Sequence, residues 1–244
     1  MIYKKAPIRN VICEFRPLQE PEGWSDVFIG QIYDKLKDVY PNKKDIVSFF
    51  KVMNNTTISI EQKKETKMEA GNKNYILVSQ QRLAYCLEQE YQGWQVVKPQ
   101  IMKAWQTYKE FLQPKELQQI TLKYYNEIQI PLAEDADQLV EQDYFTVYAN
   151  YNDIQASCIR PEINLTFKYT DNQYLTINLI ALSQVEPEKA IKFLFELNYI
   201  IDDCKDLSEN NISELLENAH FNIENVFENS ITDKLRKDIF ERCG

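Results

Sequence analysis

The chain has 244 residues, with 28 Lys and Arg against 37 Asp and Glu and a formal net charge of -9. That acidic balance argues against general nucleic-acid binding, which depends on phosphate neutralisation by a basic surface. Only 5 glycines and 1 histidine are present, where average usage would give roughly 17 glycines. There is no GxGxxG or P-loop phosphate cradle, no GxSxG elbow and no HExxH metal pair.

Val11, Cys13 and Phe15 alternate with Ile12, Glu14 and Arg16, which predicts a first strand over 8–17 ended by Pro17. Pro21, Gly23 and Ser25 then punctuate, and Ser25 suits an N-cap. Ile29, Ile32, Tyr33, Leu36 and Tyr40 follow at helical spacing up to Pro41. Strands are expected at 46–53 and 56–65, and a hairpin loop at 67–74 around Gly71 and Asn72. Strands at 75–79 and 82–88 and a turn at 91–93 come next. A long amphipathic helix then runs from Trp94 to Leu112, and its regular part is expected to begin only at Pro99.

A second cycle opens with strong alternation over 120–131. Leu122, Tyr124, Asn126, Ile128 and Ile130 share one face, and Lys123, Tyr125, Glu127 and Gln129 share the other. An acidic loop or short helical turn is expected at 135–144. Strands are expected at 145–151, 154–159, 162–169, 174–182 and 193–201, with a tight turn at 170–173. A polar loop at 202–211 leads to a final helix carrying Ile212, Leu215, Leu216, Ala219, Ile223, Val226 and Phe227. Ile231 to Leu235 extend that helix or start a short second one. The predicted class is α+β, with two similar halves, 1–115 and 116–244, of duplicated origin. Each half is a mostly antiparallel sheet with a long amphipathic helix packed on one face, and the alternative is one compact domain.

Five widely spaced cysteines (Cys13, Cys86, Cys158, Cys204 and Cys243) without a CxxC pair read as free thiols of a reducing cytoplasm. The basic start has no apolar stretch behind it, and no apolar run approaches the ~18 residues of a membrane helix. A cytoplasmic chain that does not engage a membrane is therefore expected.

The candidate residues divide between structural and chemical readings. Asn126, on an apolar strand face, is either a satisfied core amide that pins strand register or a ligand-recognition group. His220 lies beside the apolar stripe of the last helix, and a catalytic role would pair it with Cys204 or with Asp202 and Asp203. Glu134, Asp135, Asp137, Glu141, Asp202 and Asp203 offer carboxylates but match no EF-hand, and Asp202 with Asp203 is the weak metal candidate. Lys4, Lys5, Arg9 and Arg16 form one basic cluster, and Lys63, Lys64 and Lys67 another. Each is either a solvated face or a phosphate contact. Trp105 and Tyr108 read as core, while Trp94, just after a turn, reads as a partly exposed interface anchor beside Trp24 and Tyr91. No metal or cofactor is expected.

Several segments are distinctive: Tyr3 to Phe15 with A-P-I-x-x-V-I-x-E-F over 6–15, Tyr91 to Trp94, Leu122 to Ile128, His220 with Phe227 and Glu228, and I-T-D-K-L over 231–235. Through them the chain resembles a sporadically distributed bacterial family of proteins of about this length. The first and last segments are the most specific. Lys123, Glu127 and Ala219 depart from the arginines and leucine usual at those places, so no role that needs those arginines carries over. The resemblance carries no activity. Its patchy distribution implies horizontally transferred cargo of the defence or toxin–antitoxin kind.

The leading expectation is a non-catalytic interaction protein, an accessory or regulatory subunit with another protein as partner. The alternatives are a small-ligand or nucleotide-binding module using Arg9, Lys123 and Asn126, and a divergent metal-dependent phosphoesterase using Asp202 and Asp203.

Overall fold

The computed structural model describes residues 3–19, 25–53, 58–71, 73–88, 91–132, 141–148, 161–185 and 189–241. Among them are nine strands: β1 (Ile8–Pro17), β2 (Asn42–Met53), β3 (Ile58–Glu69), β4 (Asn74–Ser79), β5 (Arg82–Leu87), β6 (Leu117–Pro131), β7 (Glu162–Thr170), β8 (Gln173–Val185) and β9 (Ala190–Cys204). The α-helices are α1 (Asp26–Leu36), α2 (Trp94–Leu112) and α3 (Glu209–Ser230). A 3-10 turn spans Glu141–Asp143, and a π-helical turn spans Leu235–Ile239. The strands join one continuous sheet in the order β2-β3-β4-β5-β1-β6-β9-β8-β7. The fold is α+β, with helices packed against one large antiparallel sheet in place of a separate sheet for each half. No helix among the described residues is long and apolar enough to cross a membrane.

By compactness the chain divides into two units. One holds Met1–Val11, Leu122–Ile201 and Leu215–Gly244, and the other holds Ile12–Thr121 and Asp202–Glu214. In the second unit, α2 lays Trp105 on Phe15 of β1, with ring centroids 4.6 Å apart and planes at 17°. Val97, Ile101, Tyr108 and Leu112 are buried beside it, as the helical spacing requires. α1 is capped by Ser25, whose Oγ accepts the Val27 N–H at 3.2 Å. It is tied to α2 by Lys35 and Glu110 at 2.6 Å. In the first unit, α3 packs on β6 and β9, with Phe227 stacked 5.7 Å from Phe195.

Several boundaries differ from the sequence reading. β2 and β3 run in register from Asn42↔Glu69 to Met53↔Ile58, so the expected loop at 67–74 shrinks to four residues. Met68, fully buried, keeps the strand going. α2 passes through Pro99 from Trp94 onwards. A proline this close to the start removes only one intrahelical bond, which packing of the face offsets. Of the strand expected at 145–151, residues 145–148 hold one bridge, Phe145↔Ile231, and 149–151 lie outside the described residues. Phe145 turns into the core against Phe193 at 5.0 Å. Its neighbours bond the C-terminal segment instead, through Thr146 N–H to Ser230 O at 3.0 Å and Thr232 N–H to Tyr144 O at 3.0 Å. The expected strand at 154–159, Gly23, Trp24, Glu134, Asp135, Asp137, Cys158 and Cys243 lie outside the described residues.

Candidate functional site

Residues near both chain ends hold the first unit together. Tyr3 donates its hydroxyl to the Glu228 carboxylate at 2.7 Å, and Arg236 reaches the same carboxylate at 3.1 Å. Lys5 N–H bonds Phe240 O at 3.1 Å. Within I-T-D-K-L, Thr232 Oγ1 donates to Asp143 O at 2.6 Å and Lys234 pairs with Asp143 at 2.9 Å. The chain ends are thus stitched to each other and to the 141–146 segment, which is a structural use of Tyr3, Lys5 and the 231–235 segment.

The residues singled out from sequence take up similar duties. Asn126 is buried on β6 and donates Nδ2–H to the Phe195 carbonyl of β9 at 3.0 Å, which is the register-pinning reading. His220 sits on α3 with Nδ1 3.2 Å from the Tyr124 hydroxyl. Cys204 bonds the Asp206 carbonyl and approaches Asn211, and burial pushes its thiol up. Asp202 accepts from Gln119 Nε2 at 2.9 Å. Asp203 is exposed in the left-handed region at φ 52°. Among the described residues no group of three or more His, Cys, Asp or Glu is placed to hold a metal ion. Trp94 is not a partly exposed anchor: it is 6% exposed, because the first turn of α2 lays it into the core.

The basic residues are engaged by carboxylates. Lys5 pairs with Glu241, Arg16 with Glu14, Lys64 with Asp45 at 3.7 Å and Lys67 with Glu69 at 3.0 Å. The side chain of Lys63 lies outside what is described. Arg9 and Lys192 both face Glu127, at 3.6 and 3.2 Å, and Lys123 pairs with Glu196 at 3.0 Å. Burial works against the Lys123 charge, but the bond to Glu196 outweighs it and holds the ammonium above the usual lysine range. These cross-strand pairs occupy the face of β6 and β9 opposite Asn126 and Phe195.

Burial lowers the His220 pKa below its ordinary value of 6.5, against the pull of Glu224 and Glu217. The unfolded chain therefore binds a proton below about pH 6.5 that the folded chain refuses, so this group's contribution to stability falls as the pH drops through that range. His220→Gln should flatten the decline between pH 7 and 5 in a urea-midpoint series. The lone histidine C2–H resonance in the NMR spectrum should titrate below 6.5, and a midpoint above 6.5 would contradict the assignment.

The feature that sequence reading missed is an edge. Among the described residues, β7 ends the sheet order and no strand pairs with its outer side. Its odd residues continue the buried rows of β8 and β9: Ile163 pairs with Leu179, Leu165 with Ile177 and Phe167 with Leu175. Ile177 then pairs with Leu197 and Leu175 with Tyr199. On β8 and β9 these rows are core. On β7 they come into water, with Leu165 38%, Phe167 44% and Tyr169 40% exposed. Tyr169 rests on Tyr199 at 5.4 Å, and the Tyr199 hydroxyl is held by Gln173 at 2.9 Å and Asn222 at 3.2 Å. The row is therefore backed by a fixed support. The opposite end of the sheet differs, because β2 opens with exposed Asn42, Lys43, Lys44 and Asp45, the usual charged protection of an edge. The alternation E-I-N-L-T-F-K-Y-T was visible in the sequence, but the position of that strand in the sheet was not.

Comparison of the chain with protein-family models, with curated proteins and with solved structures returns no match.

Proposed function

We propose that the chain is a non-catalytic interaction protein that engages a partner by strand addition at β7. The observation that supports this most is the edge strand with three large apolar side chains on one side and no protective charge among them. Strand addition uses the free backbone edge for affinity and alternate side chains for specificity. The side chains that would form a catalytic set, His220, Cys204 and Asp202, each serve a local bond instead. The resemblance adds a setting, an accessory or regulatory subunit of a mobile defence or toxin–antitoxin system with its partner encoded nearby, and the widely spaced cysteines suit the cytoplasm.

The test is Phe167→Glu, which puts a charge in the middle of the row without touching the core. In extract from the native host, the tagged wild-type chain should elute as an assembly. The variant should elute near 28.9 kDa, the mass of one chain, with its melting temperature unchanged. Identical elution of the two proteins would remove β7 from the interface.

A further inference from the structure

We propose that the occupant of the β7 edge is a second copy of this chain, paired antiparallel across a two-fold axis at Thr166. The proposal rests on the reading of β7 as a docking edge and names its partner.

The backbone decides which residues are available. Ala181 N–H donates to Pro161 O at 3.1 Å, and the register from Glu162↔Ile180 to Lys168↔Tyr174 is unbroken. In an antiparallel ladder, hydrogen-bonded pairs recur every second residue. Residue 161 bonds inward, so 163, 165 and 167 do so too. The N–H and C=O groups of Glu162, Asn164, Thr166 and Lys168 therefore point to the free edge. A two-fold axis through Thr166 pairs residue 166 with itself, 164 with 168 and 162 with 170. Residues 164, 166 and 168 carry outward backbone groups, so the centre of the self-pairing uses hydrogen-bonding positions; beyond Lys168 the register shifts and Thr170 pairs with Gln173 of β8.

The side chains agree with that register. Leu165 falls opposite Phe167 of the copy, and Ile163 opposite Tyr169, so the exposed apolar row of one strand covers the row of the other. On the other face, Glu162 lies diagonal to Lys168 of the copy, within reach for a cross-strand ion pair. Lys168 is held only by an exposed contact to Asp171 in the isolated chain, which it is able to exchange. Charge supports the same choice. The chain carries -9 overall, but β7 contains one glutamate and one lysine and is neutral. Two copies therefore meet edge to edge on the one apolar row without stacking like charges there.

The experiment uses the purified full-length chain. Sedimentation at tens of micromolar should give about 58 kDa, twice 28.9 kDa, and Phe167→Glu should return it to the single-chain mass. Thr166→Cys should form an intermolecular disulfide on mild oxidation, because hydrogen-bonded partners lie about 5.5 Å apart at Cα, inside the span a disulfide bridges. Glu162→Cys should not do so, since two copies of residue 162 would be separated by eight residues of strand, about 27 Å. The unsubstituted chain controls for the native cysteines. A single-chain mass at this concentration, or a dimer in which Glu162→Cys cross-links as readily as Thr166→Cys, would overturn the self-pairing. A purified monomer whose assembly in host extract is still lost with Phe167→Glu would overturn the second copy alone and leave a different partner at the same edge.

Discussion

Arg82→Ala should be among the most damaging single substitutions in the chain, lowering the unfolding free energy by about 3–5 kcal/mol, the usual cost of stranding a buried charge. Arg82 stands on β5 and bonds Glu65 of β3 through two parallel contacts, Nε–Oε1 at 2.6 Å and Nη2–Oε2 at 2.8 Å. It also bonds Glu14 of β1 at 2.8 Å. Glu65 has 1% of its side chain exposed. One planar guanidinium thus spans β3-β4-β5-β1, a geometry that lysine does not reproduce. Burial opposes the Arg82 charge, and the bonds to Glu65 and Glu14 more than restore it, so its pKa sits above the ordinary arginine value. Without the arginine, two buried carboxylates are left without their counter-charge, a cost that acid relieves by neutralising carboxylates. The loss should therefore be large at pH 7 and shrink as the pH falls into the carboxylate range. Urea denaturation at pH 7 and pH 4.5 measures both. The triple change Arg82→Met with Glu65→Leu and Glu14→Leu should cost less than Arg82→Ala alone, because it strands no charge. A triple variant weaker than the single one would show that the network itself, and not the orphaned carboxylates, carries the stability.

Asn126→Asp is the second large effect. Asn126 is 2% exposed and donates to a carbonyl oxygen. A carboxylate there would face that oxygen without water, so the folded chain keeps the acid protonated. A rise of about three units in its pKa corresponds to about 4 kcal/mol at neutral pH. The sign follows from linkage. The folded pKa lies above the unfolded one, near 3.9 for aspartate, so the variant approaches wild-type stability below about pH 4. It loses stability as the pH rises towards the folded pKa. A variant equally stable at pH 4 and pH 7 would show that position 126 is not the dry, register-holding amide described here, and would reopen the ligand-recognition reading.

These two sites mark what sequence reading reached and where it stopped. The Asn126 environment was legible, because a strict two-residue period over β6 puts one amide among apolar neighbours. The helix α1 and its Ser25 cap were legible for the same reason, since both are local. The Glu14–Arg82–Glu65 network was not legible: its members come from three strands, and nothing in the chain states that β1 lies beside β5. At the start of the strand expected at 145–151, Phe145 answers to Phe193 and Ile231, far along the chain, and not to its own alternation. β7 itself was legible as a strand, but its place at the sheet edge depends on the order of nine strands, so exposure of Leu165, Phe167 and Tyr169 appeared only in the fold. Tyr3 with Glu228 and the Thr232–Lys234 stretch close the structure through contacts distant in sequence, which no local pattern announces.

The central claim is that β7 is a docking edge, and amide hydrogen exchange tests it most directly. In the dilute, isolated chain, the amides of Asn164, Thr166 and Lys168 face the open edge and should exchange quickly, while those of Leu165 and Phe167, bonded to β8, should be protected. In the associated form recovered from the host, the first three should become protected and the other two should stay protected. Unchanged fast exchange at Asn164, Thr166 and Lys168 in that assembly would place the interface elsewhere and contradict the account.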